Sequence, residues 1–484
     1  MRLVTRGRAR AMASGEVADR LERGAALLAW LEGEGCAHAL RLGETPDAGG
    51  VGVFAARDVK RGETLVVMPA ACAMRAADTR ASPDDDDATA DFKAALDHLR
   101  GADGAPIDDS ARVQLLLLRE RAAAWTDGIR SGGRWAHYVR ALPGDELTRA
   151  LPLSWSDENL RRRLAGTAMH ADVLADRAAL EHLSRALADA NARVRVTPDG
   201  EPTPTPTPHP PTPPFPEDAF GPDRLRWAHA VFWSRAIALP LPSWSRGAGA
   251  GAGSDGALTP LIDLCNHAAG SRVSLRARGA RVELVAERDV AEGEEVRIHY
   301  GAKGNAELLR RHGFVIPDNP ADVCPLTLDE LPVETTQTEP KPETGRADGS
   351  ETFYLFRGME AFGMLPEGLI RAAVARRRGV RVEDVRDAVD GGGEETRGEE
   401  EAAAARAVAR LARATAARIP VGTAPSIAAA VDPGGFESAP GWRADRAGWE
   451  YRRAQRELLE ELERAARAAA EAAEGSTQDG NGVR

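Results

Sequence analysis

The chain has 484 residues, 43% of them apolar, with 74 acidic side chains against 63 basic ones and a formal charge of −11. That length is more than one compact core holds and predicts about two or three domains. The acidic balance argues against a general binder of phosphate backbones, and no run of about 18 apolar residues marks a membrane span, so neither nucleic acid nor membrane is expected as a partner.

The first residues carry Arg2, Arg6, Arg8 and Arg10 and no acid. Residues 1–16 read equally as a flexible N-terminus or a short transit peptide, which leaves chloroplast and cytoplasm or nucleus both open. Val17, Leu21, Ala25, Leu28 and Leu31 fall at helical spacing and predict a helix over 17–32. From Val51 the pattern turns to short strands, with Val51, Val53 and then Thr64–Met68, and Gly62-Glu63 marks the turn between them. The acidic run Asp84 to Asp87 reads as a solvated loop.

Residues 111–124 predict a buried helix through Val113 and Leu115 to Leu118. Ser156-Asp-Glu-Asn159 suits a helix start, continued by Leu160 and Leu164 and interrupted at Gly166-Thr167. The Pro/Thr repeat of 202–214 can neither pair as a sheet nor continue a helix, and it predicts an extended spacer. A helical pattern runs from Leu225 to Arg235, and the Gly/Ala tract 247–256 predicts a flexible loop. Beyond Asn319, helices are expected at 366–378, 399–418 and 443–473, with a loop at Gly391-Gly-Gly-Glu. The four cysteines, Cys36, Cys72, Cys265 and Cys324, form no CxxC pair, so neither a metal site nor a disulfide framework is expected.

Three segments carry the candidate chemistry. Gly50-Val51-Gly52 is too short for a dinucleotide fingerprint, but its glycines allow backbone to approach a ligand. Leu258-Thr-Pro-Leu-Ile-Asp263-Leu-Cys-Asn266-His267 ends an apolar run in two polar side chains. Gly293-Glu-Glu-Val-Arg-Ile-His299-Tyr300-Gly301 follows as an acidic turn, a short strand and a Tyr-Gly. Read alone, Asn266-His267 fits a polar end-cap and Tyr300 fits a packing residue.

In this order the segments resemble the SET-domain methyltransferases, and more narrowly the branch of the Rubisco large-subunit lysine methyltransferases. Trp135-x-x-Tyr138, Pro152-x-x-Trp155, Leu164-x-Gly-Thr167, Trp227-Ala and Ser234-Arg235-Ala-Ile237 are similar to that branch as well. The resemblance implies an α+β chain: a SET fold of short β-sheets, split by a helical insertion and followed by an all-α C-terminal domain. The implied boundaries are 17–318 for the SET domain, with the insertion at about 75–245 and its Pro-rich spacer at 201–216, then 319–475 for a helical substrate-binding domain and 476–484 for a disordered tail.

The resemblance also implies the activity. It is transfer of methyl groups from S-adenosyl-L-methionine to lysine side chains of a protein substrate, by a chain expected to be a monomer. Cofactor contacts would come from Gly50, Val51, Gly52, Arg235, Asn266, His267 and Tyr300, with Tyr300 as the catalytic residue. Ile237, Phe314, His299, Arg235 and Asp263 would line the substrate path. Asp263 suits either that role or a structural ion pair with Arg235. The chain has Gly304 and His312 where the branch carries Ser and Tyr, and His312 keeps the silent-scaffold reading open; two alternatives to a lysine methyltransferase stand. These are a histidine acceptor, which the apolar Ile237 disfavours, and a catalytically silent SET scaffold that binds a protein partner.

Overall fold

A computed structural model describes residues 2–45, 50–126, 133–194, 214–238, 256–331, 352–362, 364–366, 368–378, 382, 385, 394–425 and 440–479. Most of the Pro/Thr repeat, the Gly/Ala tract and the Gly391 loop lie outside them. The described chain divides into two compact units, 1–149 with 175–301 and 150–174 with 302–484. No described helix is long and apolar enough to cross a membrane.

In the first unit, a helix runs over Arg2–Gly33. It starts earlier than the periodicity at Val17 suggests, because Ala and Arg continue a helix without an apolar stripe. Eight strands follow: β1 (Ala37–His38), β2 (Leu40–Thr45), β3 (Gly50–Ala55), β4 (Thr64–Pro69), β5 (Ile237–Ala238), β6 (Gly256–Ala257), β7 (Val273–Arg278) and β8 (Arg281–Ala286). One sheet has the order β1-β4-β8-β7, β2 pairs with β3, and β5 pairs with β6, all antiparallel. Val66 and Met68 of β4 and Val282 and Leu284 of β8 are fully buried and tie the large sheet to the core. The β7–β8 turn has Gly279 at φ 60, the left-handed residue that a two-residue hairpin loop calls for.

The insertion between β4 and β5 is helical. The Asp109–Thr126 helix buries Val113 and Leu115 to Leu118, which together face most directions around its axis. Pro222 opens the Pro222–Arg235 helix at a first-turn position where its missing N–H costs nothing. The acidic run is not simply a solvated loop. Asp86 caps the Asp87–His98 helix by accepting from Thr89 N, and Asp85 pairs with Lys93 at 2.7 Å with both side chains about nine-tenths covered.

The second unit gathers the short Ala150–Leu174 piece with the C-terminal region. Ser156 caps the Asp157–Arg163 helix as its sequence suggested. Trp155, Leu160, Leu164 and Met169 pack with Leu309, Ala447 and Tyr451. Gly166, at φ 74, passes so close to the Arg418 carbonyl that a Cβ would lie 2.3 Å from it. The expected C-terminal helices are found at Leu369–Arg378, Glu394–Arg418 and Pro440–Asp479. Ala404, Val408 and Leu411 of the second share a core with Leu458, Leu459 and Leu462 of the third. The unit also contains a strand pair that the helical reading omitted, β9 (Val323–Thr327) with β10 (Thr352–Phe356). Its partners stand far apart in sequence, so no local turn signal announces them.

Candidate active site

The site lies in the first unit, where the segment after Leu258 and the segment before Gly301 cross. Met74 and Leu258 exchange backbone hydrogen bonds of 2.9 and 3.1 Å. Leu261 then takes φ 72 and ψ −47, a left-handed conformation that a leucine adopts only at a cost of about 1–3 kcal/mol. The strain turns the chain into the single 3-10 turn Ile262–Leu264 and delivers Cys265, Asn266 and His267 in succession.

The short strand expected between the acidic turn at Gly293 and Tyr300 is not continuous. Its residues form two isolated bridges, Phe54 with Glu295 and His267 with Ile298. Val296 N donates to Val53 O at 2.8 Å, and then Ile298 N donates to Asn266 O at 2.9 Å. The segment changes partner within two residues, so neither ladder continues. That crossing carries the GxG strand β3, Asn266-His267 and Tyr300 to one place.

Gly52 stands where β3 meets the crossing. A Cβ there would lie 2.8 Å from Glu295 Oε1 and 3.1 Å from Asn266 Nδ2. Asn266 Nδ2 donates to Glu295 Oε1 at 2.7 Å, and Arg297 Nε donates to the other carboxylate oxygen at 2.7 Å. Gly50 and Val51 precede on the same strand, opposite Thr45 and Glu44.

Tyr300 donates its hydroxyl proton to the Cys265 carbonyl at 2.9 Å, and its backbone N–H donates to His267 Nδ1 at 3.2 Å. Burial pushes the phenol up to about 12, so it stays neutral in the physiological range. The His267 ring lies 5.1 Å from that of Tyr300 and 5.4 Å from that of His299. Burial, and then His299, hold the His267 imidazole below its ordinary range, toward the neutral form.

Arg235 reaches Asp263 through the main chain. Its Nη1 donates to the Asp263 carbonyl at 2.7 Å, while the Asp263 carboxylate accepts from the Tyr138 hydroxyl. The side-chain ion pair read from the sequence is therefore replaced by a guanidinium–carbonyl bond and a phenol–carboxylate bond. Desolvation pushes the fully buried Asp263 carboxyl up to about 7, against the opposing pull of Arg235 and Tyr138. Ile237 sits two residues beyond Arg235, half-buried on β5 and opposite Ala257. Phe314 belongs to the second unit, with its ring 6.0 Å from that of His312.

The sequence reading assigned no role to Glu295 or Tyr138, although both stand inside quoted motifs. Only contacts from 29 and 125 residues away reveal them. The usable signal was chemical: a Tyr on the buried side of a helix needs a partner for its hydroxyl.

A family profile described as "SET domain" matches residues 50–301. An actin-histidine N-methyltransferase of Danio rerio is 29% identical over 216 residues, which is 43% of this chain and 30% of that protein. The ribosomal lysine N-methyltransferase set10 of Schizosaccharomyces pombe is 34% identical over 116 residues, 23% of this chain and 20% of that protein. The chain thus spans less than a third of the length of these curated relatives. Among solved structures, "Crystal structure of the SET domain of LSMT bound to Lysine and AdoHcy" superposes with a TM-score of 0.55 at 16% identity, covering 95% of this chain and 92% of that one. "Structure of Rubisco LSMT bound to AdoMet" gives 0.53 at 16% identity over the same shares. These structural likenesses establish the SET fold.

Proposed function

The chain belongs to the SET-domain family, and from that premise we propose that it is an S-adenosyl-L-methionine-dependent protein-lysine N-methyltransferase. The observation that carries the reading is the neutral Tyr300 hydroxyl, held on the Cys265 carbonyl directly beside Asn266-His267. The relatives named above transfer methyl groups to lysine or to histidine, and two of the solved neighbours bind AdoMet or AdoHcy.

The residues fit the cofactor. Only a glycine at position 52 leaves room next to the Asn266–Glu295 pair. That pair offers a carboxylate for an ammonium group and an amide for a carboxylate, which is the pairing a methionine end requires. Gly50, Val51 and Gly52 would present backbone, Asn266 its amide and His267 its main chain, with Arg235 as a further cation. The bound cofactor would supply an electrophilic methyl group on a sulfonium.

The protein's task is then positional. Tyr300 is a neutral phenol and not a base; with its proton committed to Cys265 O, its oxygen can accept from an amine N–H and aim the nitrogen lone pair. In-line approach within about 3–3.5 Å is what such a transfer asks of the protein. A lysine amine, with a pKa of about 10.4 in water, must first lose a proton, and an apolar path favours the neutral form. Ile237 is the apolar residue of the first unit assigned to that path, with Asp263 and His299 its polar ones.

A histidine acceptor is the second reading, supported by the Danio rerio relative. Ile237 favours lysine, since it has no hydrogen-bonding group to orient an imidazole. The test is transfer of labelled methyl from S-adenosyl-L-methionine into protein extract by wild type and Tyr300→Phe, with the labelled residue mapped. Label on lysine in the wild type, reduced at least about 100-fold in the variant with cofactor affinity kept, is the expected result. Label on histidine replaces the acceptor, and equal label in both proteins removes Tyr300 from the chemistry. Absence of both label and cofactor binding favours the silent scaffold.

A further inference from the structure

Tyr138, on the Ala136–Ala141 helix of the insertion, is 0% exposed. Its hydroxyl donates to Oδ2 of Asp263, a residue that is itself only 4% exposed. Besides Tyr138 and Arg235, the carboxyl feels the backbone N–H groups of Thr259 and of Asp263 itself, and its other oxygen, Oδ1, has no hydrogen-bond partner of ordinary geometry among the described residues. The same holds for Thr259 Oγ1 and Arg235 Nε, the flanking members of a short chain of contacts. In that chain Arg235 Nη1 holds the Asp263 carbonyl at 2.7 Å, and Asp263 N donates to Thr259 O at 3.0 Å. The carboxyl is therefore fixed at both ends, by a guanidinium on its main chain and a phenol on one oxygen. The second oxygen is buried and left over. A buried carboxylate oxygen without a donor is costly and calls for an explanation, and a ligand N–H supplies one.

Asp263 and Arg235 both act electrostatically on Tyr300, and Tyr300 is bonded to the carbonyl two residues after Asp263. The leftover oxygen thus belongs to the same small region as the proposed catalytic hydroxyl. We propose that Tyr138 is a positioning residue of the transfer site: it occupies one oxygen of Asp263 so that the other is presented to the N–H of the acceptor amine. This rests on the methyl-transfer reading. The charged and titratable groups that face Asp263 are Tyr138 from one helix, Arg235 from another, and Cys265 and Tyr300 from the crossing. Of these, Arg235 and Tyr138 favour the carboxylate, so removing the Tyr138 hydroxyl makes Asp263 harder to ionise.

Tyr138→Phe keeps the ring and its packing, and a buried Asp263 that loses a donor can protonate, so the variant should fold. The experiment compares wild type, Tyr138→Phe, Asp263→Asn and the double variant. Initial rates of labelled methyl transfer from S-adenosyl-L-methionine to free L-lysine are followed across the pH range. In parallel, Asp263 is titrated by 13C NMR of its labelled carboxyl group. Tyr138→Phe is expected to lower kcat/KM for lysine about tenfold at neutral pH, with cofactor affinity unchanged. The acidic limb of the profile should move to higher pH together with the Asp263 titration. In the Asp263→Asn background the same substitution should add nothing. An unmoved limb and titration, or losses that multiply in the double variant, would overturn the proposal. A wild type that methylates neither lysine nor extract protein defeats the methyl-transfer reading instead. The NMR titration still decides whether Tyr138 governs the charge of Asp263.

Discussion

Asp263 in the first unit and Asp322 in the second are both buried carboxylates, and desolvation raises both above the usual range. Their surroundings differ. Asp322 Oδ1 accepts from Asn305 N at 2.8 Å and from Val323 N at 3.1 Å, and Oδ2 accepts from Asn305 Nδ2 at 3.1 Å. Asn305 continues the network to Ile316, and Asn319 ties it to Lys303. Every oxygen of Asp322 is used inside the unit, which marks a structural anion. Asp263 uses one oxygen and leaves the other buried without a donor of ordinary geometry, next to a leucine held at positive φ. Strain and unmet hydrogen bonding occur together at the place assigned to chemistry, whereas both oxygens of Asp322 are met within its own unit.

The comparison can be broken by substitution. Asp322→Ala should cost the most, about 3–5 kcal/mol in urea unfolding, because it strands the buried N–H groups of Asn305. A loss below about 1 kcal/mol would mean the network is not structural. Asp263→Asn should behave in the opposite sense. Its carboxyl is pushed up to about 7, above the ordinary 3.8, so between these limits the native state holds a proton that the unfolded chain has released. Stability therefore falls as pH climbs through that window and is level above it. The Asn variant should be more stable than wild type by on the order of 2 kcal/mol at about pH 8, a gain that vanishes below about pH 4. Denaturant midpoints at several pH values would check this, and a pH-independent difference would remove the buried-carboxylate account. At the small end stands Arg456→Ala, which breaks a half-exposed i,i+4 pair with Glu460 at 2.8 Å. It should change stability by less than about 0.5 kcal/mol.

Much of the scaffold was legible before any coordinates. The leucines of 115–118, the capping Ser156 and the apolar face of the C-terminal helix are local signals. They act within one or two turns of chain, where periodicity and capping decide the outcome. The strand pair β9–β10 was not legible, since each strand is completed by a partner whose position no local pattern encodes. Nor was the segment 294–300. Its residues read as a strand, yet it divides its hydrogen bonds between Val53 and Asn266.

The candidate site shows the same division. The sequence by itself determined which side chains were available: a glycine pair, an Asn-His after an apolar run, an Arg at a helix end and a Tyr-Gly. Their order along the chain was enough to suggest the family. Only the tertiary structure decided that Gly52 is crowded by Thr45, Glu295 and Asn266, and that Arg235 binds the Asp263 main chain. It alone supplied Tyr138, from 125 residues away, to the carboxylate. The physical reason is that burial and hydrogen-bond partnership belong to surroundings. The same Asp is a surface charge, a structural anion or a half-satisfied acceptor according to what distant segments bring to it.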